Sequence, residues 1–262
     1  MPPDAARSLQ LASSLGENAL LAFGGVLFVV LLIVALGWFV VHRRSTSNQT
    51  AARASSVTLA PAIAAILAAA LLFAMLPGWM VDDGWLSLAD DALTAAIRRS
   101  VAPPVLQLFA AITVLANTSM LWMIAIGGAL LFLWRRDYLL AWIWLVAIGG
   151  NGVLTRVLKD LFARQRPRFE HDLITAQGWS FPSGHSSGAI VAYGMLAYVL
   201  IRRTPSTWHL PIVLLATTIA YITGCSRIFL QVHHASDVLA GFASGLAWLA
   251  ICVTAAELIQ RR

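Results

Sequence analysis

A histidine and an aspartate lie four residues apart in the last third of the chain, at His233 and Asp237. If this stretch is helical, both side chains lie on one face, about 6 Å apart along the axis. A carboxylate that holds one imidazole nitrogen leaves the other free to attack an electrophile or to take a proton. A second histidine, His185, lies on a different segment. It could then act as the general acid for a leaving group.

Basic residues accompany these histidines in separate segments of the sequence. They are Lys159, the only lysine of the chain, and Arg164, Arg166, Arg168 and Arg227. Such a group of cations repels itself unless an anion with several oxygens lies among them. Phosphate fits, because an arginine can bind two of its oxygens at once and a lysine supplies a compact charge. The residues therefore predict phosphoryl transfer through a phosphohistidine intermediate, with the cations covering the charge that a magnesium ion would otherwise neutralise.

A Pro-Ser-Gly-His sequence at 182–185 directly precedes an apolar segment. The free backbone N–H groups at the start of a helix form an anion site, and the Ser183 hydroxyl would face the same anion. Ser183 and Gly184 are therefore expected to help hold the phosphate.

A metal site is the alternative interpretation of the region around His233. His234 and Asp237 could be ligands, and Glu170, His171 and Asp172 could supply more. The nearby cations oppose a divalent ion, so we expect no metal and no other cofactor. Arg164 and Arg168 have two interpretations, contact with lipid head groups or contact with the substrate.

The composition indicates how these residues are positioned. The chain has 262 residues, of which 59% are hydrophobic and only 11% are charged. A soluble domain of this size carries roughly twice that charge, so the class is an all-α integral membrane protein. Apolar runs that could span a membrane lie at 19–41, 57–76, 117–134, 138–157, 184–201, 210–230 and 238–258. Segment 105–115 is too short to span and is expected to be interfacial or re-entrant, after an amphipathic surface helix around Asp90 and Arg98.

Arginines mark the loops on one side of this predicted bundle. They are Arg43, Arg44, Arg53, Arg135, Arg136, Arg202, Arg203, Arg261 and Arg262. The positive-inside rule places these loops in the cytoplasm, with the N-terminus outside. All the chemistry-bearing residues then fall at the outer membrane boundary. Arginine pairs beside apolar segments are a topology pattern, so the net charge of +6 does not indicate nucleic-acid binding.

Three segments taken together resemble the signature of the type 2 phosphatidic acid phosphatase superfamily. They are Lys159-x6-Arg166-Pro167, Pro182-Ser183-Gly184-His185 and Ser226-Arg227-x5-His233-x3-Asp237. The superfamily also includes vanadium haloperoxidases, although multiple membrane spans oppose that activity here. Its membrane members have a six-helix core, which implies a core at 57–262. Residues 1–56 would then hold one additional transmembrane helix.

The resemblance also implies a role for each signature residue. His233 would be the nucleophile, Asp237 would orient it, and His185 would protonate the leaving oxygen and later activate water. The phosphate would be held by Lys159, Arg166, Ser183, Gly184 and Arg227, with Arg164, Arg168 and Ser226 as possible accessory residues.

A site level with the outer membrane interface favours a substrate presented by the bilayer. The expected function is therefore hydrolysis of a lipid phosphate or diphosphate at the periplasmic face of a bacterial inner membrane, with the lipid substrate and membrane lipids as partners. Two alternatives remain. The same site could transfer the phosphoryl group to a second lipid, or the fold could serve a non-catalytic lipid-binding or transport protein.

Overall fold

The computed structural model describes residues 3–46, 70–71, 73–75, 84–167 and 176–260, and within them the regular structure is helical, with no strand. The α-helices are α1 Pro3–Glu17, α2 Ala19–Thr46, α3 Trp85–Ser100, α4 Pro103–Ile112, α5 Thr118–Trp134, α6 Tyr138–Phe162, α7 Gly184–Ile201, α8 His209–Phe229 and α9 Ala235–Gln260. Short 3-10 helices at Thr113–Ala116 and Ser206–Trp208 precede α5 and α8.

Six helices of the described part are long and apolar enough to cross a membrane. Their spans are Ala19–Val41, Pro103–Trp134, Tyr138–Phe162, Gly184–Ile201, Ser206–Phe229 and Ala235–Gln260. The chain is an all-α integral membrane protein, as predicted. The predicted span at 57–76 lies mostly outside the described residues and stays a prediction, and so does the division at 56.

The span that ends at Trp134 differs from the prediction, because it begins at Pro103 rather than at 117. Segment 105–115, predicted to be interfacial or re-entrant, is helical and is counted within this candidate span. It belongs to α4 and to the 3-10 helix that joins α4 to α5. Pro103 and Pro104 follow the end of α3 at Ser100 and begin α4. The prolines occupy the first turn of α4, where a missing N–H costs nothing.

The amphipathic helix predicted around Asp90 is α3, and it packs against α1. Gly16 of α1 lies so close to α3 that an added Cβ would be 2.4 Å from the Cβ of Ala96. The Ser100 hydroxyl of α3 donates to the Gly16 carbonyl at 2.7 Å. The sequence analysis did not predict α1, because a short and half-polar helix escapes a search for runs of about 20 apolar residues.

Phe23 of the N-terminal span α2 packs against α8. Its ring lies 5.2 Å from the ring of Tyr221 and 5.6 Å from that of Phe229. The Tyr221 hydroxyl also donates to the Phe23 carbonyl at 3.0 Å. Much of the remaining α2 surface is exposed and apolar, for example Leu21 and Phe28, as expected of a helix that faces lipid.

Helix α7 is the centre of the bundle. Its residues Ala189, Val191, Ala192 and Met195 are fully buried. The start of α7 meets α9 closely, since a Cβ on Gly241 would lie 2.5 Å from the Ser183 carbonyl oxygen. This approach brings the Pro-Ser-Gly-His segment beside the residues that begin α9.

Candidate active site

The chemistry-bearing residues lie at one end of four packed helices. Lys159 is in the last turn of α6 and Arg227 in the last turn of α8. His185 is in the first turn of α7, and His233 lies two residues before the start of α9. Because the chain enters or leaves each helix at this end, three segments that are distant in the sequence converge here.

Two residues with a left-handed backbone conformation lie in the turns that precede site residues. Ala163 has φ 43° and ends α6 just before Arg164. Gln231 has φ 55° and reverses the chain between Arg227 and His233. Positive φ is uncommon for residues other than glycine, and it is found where the surrounding structure imposes it, often at functional sites.

His233 is held at both ring nitrogens. Its Nδ1 lies 3.4 Å from Asp237 Oδ2, and its Nε2 lies 3.1 Å from Arg166 Nη1. A guanidinium only donates, so Nε2 accepts and the proton of the neutral ring lies on Nδ1, toward Asp237. Burial, together with the nearby charges of Arg166 and Lys159, outweighs the pull of Asp237 and lowers the pKa of His233 to about 3. The ring is therefore neutral, and its Nε2 lone pair faces away from the carboxylate.

The Asp237 carboxylate is buried and has several donors besides His233. The Ser180 hydroxyl and the His234 backbone N–H both donate to Oδ2, the latter at 2.9 Å. Arg164 donates to Oδ1 at 2.6 Å. These bonds on both oxygens fix the plane of the carboxylate, so its orientation toward the His233 ring is set by the protein.

Arg164 also links this carboxylate to a second buried one, Asp90 on α3. Arg164 Nη2 lies 2.9 Å from Asp90 Oδ2. The same Asp90 carboxylate accepts the Ser236 backbone N–H at 3.2 Å and the Ser236 hydroxyl, at the start of α9. Sequence analysis treated Asp90 only as part of an amphipathic surface and missed this role. The one signal was an acidic pair, Asp90-Asp91, on a predicted interfacial helix.

His234 is buried and does not line the cavity described below. It belongs to the hydrogen-bond network that holds Asp237. Its Nε2 lies 3.3 Å from Asp91 Oδ1, again on α3. Helix α3 is thus connected to the start of α9 through two neighbouring aspartates.

A cavity of 730 Å³ opens at this end of the bundle. His185, His233, Lys159, Arg166 and Arg227 line it, and no carboxylate of the described residues does. The Arg227 guanidinium is buried, and its Nη1 donates to the Thr113 hydroxyl at 3.0 Å. Its Nε has no hydrogen-bond partner among the described residues. A buried donor beside a cationic cavity favours an anionic ligand.

Arg166 and Lys159 also bind residues 177–180, which form a loop before α7. Arg166 donates to the carbonyls of Gln177 and Gly178, each at 3.0 Å. Lys159 Nζ donates to the carbonyls of Trp179 and Ser180, the latter at 3.2 Å. The two cations therefore hold this loop in place beside the site, and they also line the cavity.

Several predicted phosphate-site residues have other contacts. Ser183 is fully buried, and its hydroxyl accepts the Ser186 N–H as the cap of α7, while its own N–H donates to the Asp237 carbonyl at 2.9 Å. The Ser226 hydroxyl donates within α8 to the Thr223 carbonyl at 2.6 Å. Neither serine lines the cavity, whereas Gly184 does. Arg168 lies outside the described residues.

Within the described residues, no group of three or more His, Cys, Asp or Glu side chains is arranged to hold a metal ion. The further ligands considered from the sequence, Glu170, His171 and Asp172, lie outside that part of the chain.

Comparison with known proteins identifies the family to which this chain belongs. The chain matches the PAP2 superfamily over residues 140–261, which contain all three signature segments. It is 34% identical over 180 residues to phosphatidylglycerophosphatase B of Bacillus subtilis, covering 67% of this chain and 87% of that protein. The chain belongs to the PAP2 superfamily.

Further PAP2 relatives agree with this assignment. The crystal structure of a transmembrane PAP2 type phosphatidylglycerolphosphate phosphatase from Bacillus subtilis superimposes with a TM-score of 0.69 and 32% identity, covering 75% of this chain and 98% of that one. Lipid phosphate phosphatase 2 of Arabidopsis thaliana is 30% identical over 131 residues, covering 39% of this chain and 45% of that protein. This PAP2 protein is therefore an enzyme, a membrane lipid phosphatase.

Proposed function

We propose that this enzyme hydrolyses the terminal phosphate monoester of a glycerophospholipid, with phosphatidylglycerophosphate as its substrate, at the outer face of the membrane. The reaction proceeds through a phosphohistidine and needs no metal. The observation that carries the proposal is the cavity itself, because one continuous space has a cationic end and an apolar end. The names of the Bacillus subtilis phosphatase and of the solved structure support the choice of lipid.

The apolar end of the cavity lies between two membrane helices. Leu121, Trp122 and Ala125 of α5 line it on one side, and Ile148 and Gly149 of α6 on the other. A soluble phosphate ester gains nothing from such a surface, whereas the acyl chains of a lipid remain in contact with apolar groups. This lining supports a substrate that enters from the bilayer with its head group toward Lys159.

In the first chemical step, the lone pair of His233 Nε2 attacks phosphorus. The P–N bond forms as the P–O bond to the lipid breaks, and protonated His185 gives its proton to the leaving lipid oxygen. The phosphate must take over the N–H that Arg166 donates to this Nε2. Lys159 and Arg227 balance the charge on the phosphoryl oxygens.

In the second step, water attacks phosphorus and neutral His185 takes its proton. The P–N bond breaks, inorganic phosphate leaves, and His233 regains its lone pair. His185 is protonated again, so the cycle is complete. The Asp237 carboxylate keeps the Nδ1 proton of His233 throughout and stabilises the positive charge that the phosphorylated ring carries.

The outer-face orientation is supported by the opposite end of the bundle. Helix α7 begins at the site and has 18 residues, so it spans about 27 Å before it reaches Arg202 and Arg203. Arg135 and Arg136 follow α5, which likewise begins beside the site. Basic residues collect on the cytoplasmic side of membrane proteins, which leaves the site outside.

The substrate is tested by phosphate release from purified enzyme in detergent micelles. We expect kcat/KM to be highest for phosphatidylglycerophosphate, lower for phosphatidic acid and a lipid diphosphate, and lowest for soluble glycerol 3-phosphate. Equal values for the lipids and for glycerol 3-phosphate would overturn the lipid assignment. Transfer of labelled phosphate to a second lipid in place of release would identify a phosphotransferase.

The intermediate is tested with two histidine variants. His233→Ala should form no acid-labile phosphoenzyme and show no turnover. His185→Ala should form the phosphoenzyme slowly, and only from substrates with good leaving groups. Full turnover by His233→Ala would refute the mechanism.

A further inference from the structure

Asn117 joins the 3-10 helix Thr113–Ala116 to α5, at a break in the helical backbone with φ −61° and ψ 151°. Asparagine is favoured at this position because its side-chain oxygen can accept a backbone N–H of the first turn. Asn117 makes no such bond. Its Oδ1 lies instead 2.8 Å from Nε2 of His185 on α7. The side chain thus serves a contact between helices at the site rather than its own helix.

The contact determines which nitrogen of His185 works on the substrate. An amide carbonyl oxygen only accepts, so Nε2 of His185 carries a proton and donates it to Asn117. The nitrogen left for the substrate is Nδ1. It gives a proton to the leaving oxygen in the first step and takes one from water in the second. A ring without this bond could rotate or change tautomer, and only a fraction of molecules would then present Nδ1 correctly.

Hydrogen bonds from two helices, α7 and α8, hold the segment that carries Asn117. The Tyr193 hydroxyl donates to the Leu115 carbonyl at 2.8 Å, which ties the segment to α7, the helix of His185. Thr113 accepts from Arg227 at 3.0 Å. A five-residue stretch therefore contacts the proposed acid and base histidine and a proposed phosphate-binding arginine. Asn117 itself lines the cavity.

We propose that Asn117 is a positioning residue that holds His185 in the orientation and tautomer needed for both proton transfers. This inference rests on the proposed function. Asn117 lies before residue 140, where the match to the PAP2 superfamily begins, and outside the three signature segments. The active site thus takes a fourth contribution from the helical segment between α4 and α5.

The test uses Asn117→Leu, which keeps the approximate size without an acceptor, and Asn117→Asp, which keeps an oxygen at the same place. Each variant is assayed with phosphatidylglycerophosphate and with p-nitrophenyl phosphate, whose leaving group needs little proton donation. For Asn117→Leu we expect kcat on the lipid to fall on the order of 10- to 100-fold, with KM within about twofold. The single-turnover burst of p-nitrophenolate should fall by less than about threefold.

Asn117→Asp should recover at least part of the lost kcat on the lipid. Asn18→Ala is the matched control and should leave both activities unchanged, because Asn18 lies between α1 and α2, where its side-chain amide donates to the Ser14 carbonyl at 3.1 Å. Equal losses on both substrates, or a raised KM with unchanged kcat, would overturn the inference. A variant that gives the p-nitrophenolate burst is folded, so loss of lipid turnover cannot be attributed to misfolding.

Failure of this inference is distinguishable from failure of the proposed function. If the wild-type enzyme releases no phosphate from lipid, or if His185→Ala retains full turnover, the proposed function fails. If His185→Ala loses turnover while Asn117→Leu keeps it on both substrates, only the role of Asn117 is refuted.

Discussion

Arg164 Nη1 lies 2.6 Å from Asp237 Oδ1, while its Nη2 lies 2.9 Å from Asp90 Oδ2. One guanidinium therefore bridges the carboxylate behind the proposed nucleophile and a carboxylate of α3. The side chain is not among those that line the cavity. Its charge is used inside the protein, to bind the two carboxylates.

Arg164→Gln should lower both activity and stability, because it leaves two buried carboxylates without their shared cation. Breaking a buried pair by removing one partner costs about 3 kcal/mol or more. We expect phosphohistidine formation to slow by about 100-fold, a loss that corresponds to roughly 2.7 kcal/mol. Single-turnover labelling and the thermal unfolding midpoint in detergent measure the two effects.

Asp90→Asn should reproduce part of the Arg164→Gln effect, and the double variant should lose less than the sum of the two singles, because both act on one network. Arg202→Gln is the matched control. Arg202 pairs with Glu257 at the other end of the bundle, and such an exposed pair contributes little. Strict additivity of the Arg164 and Asp90 effects would show that the residues act separately.

Stability should depend on pH through His233. Its pKa is about 3 in the folded protein, below its value in an unfolded chain, so the unfolded state binds more protons as the pH falls. The contribution is complete above about pH 6.5 and is lost progressively toward pH 3. At pH 5 the loss amounts to about 2 kcal/mol.

The measurement compares the unfolding midpoints of wild type and His233→Gln in the same detergent at pH 7.5 and pH 5. The wild type should lose more stability than the variant as the pH falls. Parallel curves for the two proteins would show that His233 does not titrate between the folded and unfolded states.

Gly152→Leu should obstruct the apolar end of the cavity selectively. Gly152 lines the cavity, and a Cβ there would meet no atom within 4 Å, so a leucine side chain has open space to fill. We expect KM for phosphatidylglycerophosphate to rise by about tenfold, equivalent to 1.4 kcal/mol, with hydrolysis of p-nitrophenyl phosphate unchanged.

Gly127→Leu is the control for that substitution. Gly127 is also in open space, on α5, but it does not line the cavity. It should leave both substrates unaffected. If Gly152→Leu slowed the two substrates equally, the cavity would not be the path of the lipid chains.

Activity should survive removal of divalent metals, because Lys159 and Arg227 supply positive charge at the phosphate. We expect phosphate release to be unchanged after dialysis against EDTA and to show no stoichiometric requirement for added magnesium. A loss of activity that one equivalent of a divalent ion restores would revive the metal interpretation of His233 and Asp237.

The sequence by itself determined the membrane class and six of the spans, and it named the proposed nucleophile and phosphate-binding residues. Runs of apolar residues are local features, and so are the spacings inside each signature segment. The start of the candidate span at Pro103 was not predicted, because segment 105–115 taken alone is too short to cross a membrane. Helix α1 was missed because it is short and half-polar.

Only the tertiary structure decided which residues hold the proposed catalytic side chains in place. Arg164 meets Asp90 across 74 residues of sequence, and His185 meets Asn117 across 68. A hydrogen bond forms only within about 3 Å, and no spacing in the sequence predicts which distant side chains come that close. The sequence therefore identified the proposed nucleophile and phosphate-binding residues, while helix packing selected the residues that orient Asp237 and His185.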